Sequence, residues 1–346
     1  MKKLIVFAVI IEVFLFLTSM KIDEVNAQKK IKKSPKIYKI EELTASQVYA
    51  LDREKTLFFL PVGTLEQHGS HLPIGSDTYI ANFYTSKLAE RLSKSFTDRT
   101  IVLMPTINYS NGGANEIGDV LTHPGTYGIR QTTLRSIVAD VGAQIAQNGF
   151  KWIFVIHAHG SPNHNLAISD ACDFISQEFK TTMLNLDGLA TEDSANSDKS
   201  RKAKERYFTA EERELIGWDI HAGTKETSVL LAVKPELVNK NFRSLPDLSG
   251  DSEEEILKIA KSKDWLGYFA SPAKAKAEFG REILEATLET FTNYVARALK
   301  GENLFNLPRF PTEKEEFGKT ENDWNAHEKV FEKKFEKWLK EKKRIE

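Results

Sequence analysis

Apolar runs alternate with amphipathic stretches through the middle of the chain. Four runs have the length and composition of buried strands: residues 56–62, 100–105, 152–157 and 182–186. Four stretches carry apolar residues at helical spacing: 77–95, 130–148, 163–179 and 273–299. This alternation predicts an α/β fold in which helices cover a mainly parallel sheet. Active sites in such folds lie at the carboxyl ends of the strands.

The first 27 residues differ from this pattern and indicate a signal peptide. Lys2 and Lys3 precede an almost wholly apolar run at 4–17, and Ala27 provides a small residue after which cleavage would occur. We therefore expect an exported protein that is periplasmic or secreted. An uncleaved N-terminal membrane anchor is the alternative, although the apolar run is short for a membrane span.

The last residues also differ, because they are dense in glutamate and lysine. Phe331, Phe335 and Trp338 fall on one face of a helix, which predicts a charged helical extension. The chain after the signal peptide is then divided into a main domain (28–311), insertions near 191–214 and 245–262, and the extension (312–346).

The composition narrows the possible functions. Lysine and arginine number 48 against 49 aspartate and glutamate, so the net charge of −1 argues against a broad nucleic-acid-binding surface. The hydrophobic content of 41% is sufficient for a sizeable core. Cys172 is the single cysteine, which excludes an intramolecular disulfide framework and a cysteine-based zinc finger. A metal site must therefore use histidine, aspartate and glutamate.

Seven of the eight histidines lie between positions 68 and 221, and several directly follow predicted strands. Glu66 and His68 come after the first of these strands and, two residues apart in extended chain, can converge on one point. Asp77 lies at the start of the next helix, where capping the helix is the alternative role. Together the three residues form a carboxylate and imidazole set suited to zinc, manganese or a similar divalent ion.

Two further clusters follow later in the chain. His157 and His159 come at the end of the third predicted strand, so one or both can face the same site. His221 and Glu226 lie five residues apart, before an apolar helix-like run. The chain has no Gly-x-Ser-x-Gly elbow, P-loop or complete dinucleotide-binding fingerprint, which disfavours serine hydrolases, NTPases and typical Rossmann enzymes.

These motifs together resemble the creatininase family of metal-dependent amidohydrolases. The segments that carry the resemblance are 61–73 with Asp77, 123–126, 157–160, and 221–223 with 226–228. They occur in the order seen in the family and lie within residues 40–299. The resemblance implies a three-layer α/β/α sandwich, two divalent ions (zinc or manganese), a small-molecule substrate and a homo-oligomer, often a hexamer.

The resemblance also implies a role for single residues. Glu66 and His68 match the acidic and imidazole ligands of the family motif. Asp77 matches the aspartate that bridges the two ions, and His159 matches the histidine ligand of the later motif. His221 matches the histidine to which proton transfer is assigned.

At other positions the match to the family is weaker. Trp218 and Asp219 are similar to residues that border the substrate in creatininase itself. The Asn-Gly pair that usually precedes the ligand histidine is His-Ala here, and a glutamate ligand of creatininase is replaced by Ser161. Glu226 then becomes the candidate for the fifth metal ligand.

The resulting hypothesis is an exported hydrolase that cleaves a C–N amide bond with a metal-activated water, a cyclic amide being one candidate substrate. His221 would protonate the leaving nitrogen. One alternative is a hydrolase that opens a sugar-type or lactone ring at the same metal centre. Another is a non-catalytic exported binding protein. The sequence leaves the physiological substrate, the metal identity and the oligomeric state open.

Overall fold

Five strands form one sheet in which all neighbouring strands are parallel. The computed structural model describes residues 37–118, 123–191, 193–310 and 318–345. In chain order the strands are β1 Ile37–Lys39, β2 Thr56–Pro61, β3 Thr100–Leu103, β4 Trp152–Ile156 and β5 Thr182–Asn185. Their order across the sheet is β1-β3-β2-β4-β5. The predicted α/β class is confirmed, and β2 to β5 correspond to the four predicted strands.

The pattern does not predict β1, which lies at the edge of the sheet beside β3. This strand has only three residues, and none of them is fully buried. An edge strand needs no continuous apolar run, so it leaves a weak signal in the sequence.

The described part of the chain contains twelve α-helices. They are α1 Ala45–Tyr49, α2 Ser76–Ser95, α3 Gly113–Gly118, α4 Gln131–Gln147, α5 Pro162–Phe179, α6 Leu186–Thr191, α7 Ser194–Tyr207, α8 Ala210–Ile216, α9 Thr224–Val233, α10 Glu253–Ala260, α11 Ala277–Leu299 and α12 Gly318–Glu341. The four long helices predicted from apolar spacing correspond to α2, α4, α5 and α11.

The side chains of β2 alternate between two hydrophobic layers. Leu57 and Phe59 pack with α2 and α11 on one face, whereas Phe58 and Leu60 pack with α4 and α5 on the other. All four side chains are at most 2% exposed. Helices therefore cover both faces, which gives the expected three layers and explains why the strand is apolar at every position.

The order of the strands creates a crevice at the edge of the sheet that is formed by the carboxyl ends of the strands. The connection through α2 leads from β2 to a strand on one side, and the connection through α5 leads from β4 to a strand on the other side. Because both crossovers have the same hand, α2 and α5 lie on opposite faces. Ligands bind at such a reversal, beyond the carboxyl ends of the strands. The loops at 62–75 and 157–161 meet there.

The two predicted insertions contain helices. In the first, α7 packs along α11, and ion pairs join Lys199 to Glu289 and Arg206 to Glu282. The second includes α10. The insertions therefore add structure around the sheet without interrupting it.

The C-terminal extension forms α12 and attaches to the domain through an acidic side chain. Glu328 is buried and accepts a hydrogen bond from the backbone N–H of Gln131 at 2.6 Å, at the start of α4. Phe335 and Trp338, which the pattern places on one helix face, are about half exposed.

None of the described helices is long and apolar enough to span a membrane. The signal peptide predicted at 1–27 lies outside the described residues, so export stays a prediction. The homo-oligomer also stays a prediction.

Candidate metal centre

The loop after β2 presents Glu66 and His68 to the crevice. The Nδ1–H of His68 donates to the backbone oxygen of Glu66 at 2.9 Å, which leaves Nε2 as the basic nitrogen. This Nε2 lies 3.6 Å from a carboxylate oxygen of Asp77 and 3.6 Å from one of Glu226. A histidine whose second nitrogen is held by a hydrogen bond has the fixed ring and tautomer that metal ligands require.

Asp77 lies in the first turn of α2, where the helix dipole favours a carboxylate. It does not cap this helix, because Gly75 occupies the N-cap position. Both carboxylate oxygens are buried without a hydrogen-bond partner among the described residues. Orphaned buried carboxylate oxygens are costly in a protein interior, and a cation would compensate them.

His159 approaches the same point from the end of β4. Its Nε2–H donates to the backbone oxygen of Asn111 at 3.0 Å. Its Nδ1 then faces the carboxylates, 3.4 Å from Glu66 Oε2 and 3.6 Å from Asp77 Oδ2. The geometry is therefore that of a second oriented imidazole between two carboxylates.

The loop before α9 supplies His221 and Glu226. His221 donates from Nε2 to the backbone oxygen of Gln67 at 2.8 Å, and its Nδ1 lies 4.0 Å from Glu66 Oε2. Ala222 has a φ of 51°, a left-handed conformation that is uncommon for alanine. This conformation lets the Ala222 N–H donate to Glu226, while its carbonyl accepts from His71 Nε2 at 3.0 Å. Local backbone strain thus helps to position the Glu226 carboxylate.

Three sets of side chains have ligand atoms within 4.8 Å of one another. They are Glu66, Asp77 and His159; His68, Asp77 and Glu226; and Glu66, His68 and His221. Asp77 is common to the first two sets, which together use all five predicted ligands. The structure therefore brings these five residues together, in an arrangement that suits two divalent ions sharing one carboxylate.

The electrostatics of the cluster favour positive charge. Burial opposes protonation of His159, but the carboxylates of Glu66 and Asp77 raise its pKa to about 10. Burial also opposes protonation of His68, whose pKa is nevertheless raised by Asp77 and Glu226. Either bound protons or bound divalent ions can supply the positive charge that these carboxylates favour.

His221 differs from the other two histidines. Burial and the positive charge of His68 lower its pKa well below the usual range. The imidazole is therefore neutral at physiological pH, with Nδ1 able to accept a proton.

His157 does not join the cluster. Its Nε2 bonds to Asn185 Oδ1 at 2.9 Å, and its Nδ1 lies 3.4 Å from a carboxylate oxygen of Asp187. Burial is the main reason why its pKa falls to about 3. Of the two histidines predicted after β4, only His159 contacts the carboxylates of the candidate metal centre.

Trp218 and Asp219 lie in the loop before α9. The Trp218 side chain is exposed, and Asp219 Oδ2 accepts from the backbone N–H of Lys225 at 2.6 Å. Their contact with a substrate stays a prediction. Trp265 is not among the predicted site residues, but its ring centroid lies 6.4 Å from that of His221.

Sequence reasoning also missed Asn111 and Glu116, which follow β3. Asn111 orients His159, and Glu116 accepts a hydrogen bond from Ser161 Oγ at 3.0 Å. Burial raises the pKa of Glu116 to about 8. Their position after a predicted strand could have indicated a role at the site, because β3 ends at the same edge of the sheet as β2 and β4.

The comparisons with known proteins agree with this site. A family model described as creatininase, creatinine amidohydrolase, matches residues 41–295. Creatinine amidohydrolase of Pseudomonas putida is 25% identical over 184 residues, which are 53% of this chain and 66% of that protein. Mycofactocin precursor peptide peptidase of Mycolicibacterium smegmatis is 26% identical over 241 residues, which are 66% of this chain and 79% of that protein.

Solved structures share the fold. A manganese form of creatininase has a TM-score of 0.55 and 23% identity, covering 75% of this chain and 98% of that one. A mutant creatininase of the Zn-Zn type has a TM-score of 0.54 and 22% identity, covering 75% and 98%. The family model spans most of the domain and every motif that carried the resemblance, so this chain belongs to the creatininase family of metal-dependent amidohydrolases.

Proposed function

We propose that this protein hydrolyses a C–N amide bond of a small molecule or short peptide at a dinuclear centre of zinc or manganese ions. The observation that carries the proposal is the convergence of Glu66, His68, Asp77, His159 and Glu226 on one buried point. Creatinine and a precursor peptide are named for two relatives of this chain, and both contain an amide-type C–N bond.

The residues present fit two divalent ions. Asp77 Oδ1, Asp77 Oδ2 and His68 Nε2 are buried without hydrogen-bond partners among the described residues, so bound cations would remove an energetic penalty. Glu66 and His159 would hold one ion and His68 and Glu226 the other, with Asp77 between them. When bound, such ions polarise a carbonyl group and acidify water.

His221 is suited to move the proton. Its Nε2–H is engaged by the backbone oxygen of Gln67, which fixes the ring and leaves Nδ1 directed towards the carboxylate of Glu66. Because the imidazole is neutral, Nδ1 accepts a proton from the attacking water and delivers it to the leaving nitrogen. Amide hydrolysis needs this delivery, since an amine anion is a very poor leaving group.

The experiment combines metal analysis with a substrate panel. Purified protein is expected to contain two zinc or manganese ions per chain and to hydrolyse members of a panel of cyclic amides and short peptides. Keto-inositols and lactones in the same panel test the ring-opening alternative. Selective cleavage of those compounds, or the absence of bound ions, would contradict the proposal.

A second measurement tests the proton-transfer role of His221. His221→Ala is expected to keep its metal content and lose at least about 100-fold in kcat, because proton transfer contributes ~10²–10⁴-fold in such reactions. A His221→Ala variant with unchanged turnover would show that this histidine does not transfer the proton.

A further inference from the structure

A group of buried polar side chains lies beside the metal centre and takes no part in the proton transfer described above. It comprises Glu116 on α3 and Ser161 and Asn163 at the start of α5, all at most 5% exposed. Ser161 Oγ caps α5 by accepting from the backbone N–H of His164 at 3.2 Å, and it donates to Glu116 Oε2 at 3.0 Å. One carboxylate oxygen of Glu116 is therefore fixed to a rigid helix end.

The other polar atoms of this group have no such partner. Glu116 Oε1 and both amide atoms of Asn163, Oδ1 and Nδ2, are buried without a partner at regular hydrogen-bond geometry among the described residues. Each unsatisfied buried group of this kind is costly, so a native protein normally provides a partner. Three such atoms on two neighbouring side chains indicate a polar ligand.

The group is next to the proposed reaction point. A Cβ placed on Gly113, in the first turn of α3, would lie 3.4 Å from His159 Cε1 and 3.0 Å from Ser161 Cβ. The turn of α3 thus lies directly against the ligand histidine. Besides burial, the charges of His159 and Glu66 act on the pKa of the Glu116 carboxyl, and the Asn163 side chain approaches this carboxyl in a loose hydrogen bond that lowers its pKa.

A metal ion explains these atoms less well than an organic ligand. No candidate set of metal ligands in the described ranges includes Glu116. The Asn163 Nδ2 group is a hydrogen-bond donor and gains nothing from a cation. The atoms to be satisfied are two acceptors, Glu116 Oε1 and Asn163 Oδ1, and one donor, so the complementary ligand offers N–H groups and a carbonyl.

We propose that Glu116 and Asn163 form a substrate subsite that binds an N–H and C=O group of peptide type next to the scissile amide. Ser161 positions Glu116 in this subsite. The inference rests on the proposed amide hydrolysis and deepens it, because it favours substrates with a second peptide group over a minimal single amide.

The test measures binding separately from turnover. The full-length protein with His221→Ala and two manganese ions per chain is titrated in a calorimeter with triglycine, and then with the same peptide methylated on its central nitrogen. The titration is carried out at pH 9, where the Glu116 carboxyl, whose pKa is about 8, is ionised. Loss of a hydrogen bond to this charged group is expected to weaken binding of the methylated peptide about tenfold. This comparison requires no change at Glu116 and so does not depend on the folding of a further variant.

Glu116→Gln then tests the residue itself. Glutamine keeps an oxygen for Ser161 and puts an N–H₂ group in place of Oε1, so the difference between the two peptides is expected to disappear while the metal content stays the same. Glu90→Gln is the matched control, since Glu90 is exposed and pairs with Lys87. It is expected to leave the tenfold difference intact.

Several outcomes would overturn the subsite. They are binding of neither peptide, equal binding of both by the protein with Glu116, or a difference that survives Glu116→Gln. Loss of manganese in Glu116→Gln would assign this residue to the metal centre. Peptide discrimination without hydrolysis by the protein with His221 would contradict the proposed function alone, whereas hydrolysis without discrimination would contradict the subsite alone.

Discussion

His157 and His159 both follow strand β4 and both are buried, but different charged and polar groups contact the two rings. His159 faces Glu66 and Asp77, whose carboxylates overcome burial and raise its pKa to about 10. His157 donates to the Asn185 amide and has one carboxylate nearby, that of Asp187 at 3.4 Å, and burial lowers its pKa to about 3. The comparison shows that the number of carboxylates around a histidine, two for His159 and one for His157, separates the two rings where burial and position in a motif do not.

The two regions also differ in which buried polar atoms lack a hydrogen-bond partner. The carboxylate oxygens of Asp77 are buried without hydrogen-bond partners among the described residues. Around His157, an amide oxygen accepts from the ring, and the ring of His164 packs edge-on at a centroid distance of 4.4 Å. The atoms without a hydrogen-bond partner there are imidazole nitrogens, His157 Nδ1 and His164 Nε2, and not carboxylate oxygens. We therefore expect the first region to depend on ions and the second to serve the packing of the fold.

The largest effect is expected from Asp77→Asn, because Asp77 belongs to both sets of ligands proposed for the two ions. Asparagine keeps the shape and removes the charge, so both ions and at least ~10³-fold of the hydrolytic rate should be lost. Asp187→Asn, beside His157, is the control and should keep both ions. Metal content by plasma mass spectrometry and the rate of amide cleavage measure the difference. Retention of two ions per chain in Asp77→Asn would contradict the shared-carboxylate arrangement.

The next test replaces each of the two histidines in turn with glutamine. His159→Gln should weaken metal binding at least ~100-fold, because a ligand with a fixed tautomer is removed. His157→Gln should leave metal affinity intact and reduce the free energy of unfolding by about 1–3 kcal/mol, because Asn185 Oδ1 loses the ring N–H of His157 and keeps only the backbone N–H of Gly188. Metal titration and urea denaturation measure the two effects. Comparable metal loss in both variants would remove the distinction between the regions.

Removing and restoring the metal ions should affect only the region around His159 and Asp77. Manganese added at 100 times its dissociation constant should stabilise the chelator-treated protein by about 2.7 kcal/mol. Binding should also release protons near pH 7, because the raised pKa of His159, about 10, keeps that ring protonated until an ion displaces the proton. The release should fall as the pH passes about 10. Calorimetry in buffers of different ionisation enthalpy measures it, and a constant release up to pH 11 would contradict the assignment.

The smallest effect is expected at Ala222, whose left-handed φ holds Glu226 in place. Ala222→Gly should change the free energy of unfolding by no more than ~1 kcal/mol, since relief of strain and the added entropy of the unfolded chain oppose each other. Ala222→Val should be destabilising and should weaken metal binding, because a β-branched residue disfavours this conformation. Thermal unfolding with and without manganese compares them. Equal metal affinity in the two variants would show that the backbone conformation does not position Glu226.

The hydrophobic pattern was sufficient for β2 to β5 and the long helices. Buried strands such as β2 need apolar residues at every position, and the long helices need apolar residues at helical spacing, so both are visible in the sequence. Strand β1 was not visible, because a three-residue edge strand is only partly buried. The helices of the insertions were also difficult to place, since α7 is strongly polar and makes ion pairs with α11 across about 90 positions of sequence.

The sequence alone determined the kind of site: histidine and carboxylate residues clustered after apolar strands, with a single cysteine that excludes a cysteine-based zinc finger. Only the tertiary structure decided which of these residues meet. His157 and His159 lie beyond the end of β4, where the two-residue periodicity of a strand no longer fixes side-chain direction. Glu116 and Asn163, 47 positions apart in the sequence, become neighbours because parallel strands bring the loops after β3 and β4 to the same edge of the sheet.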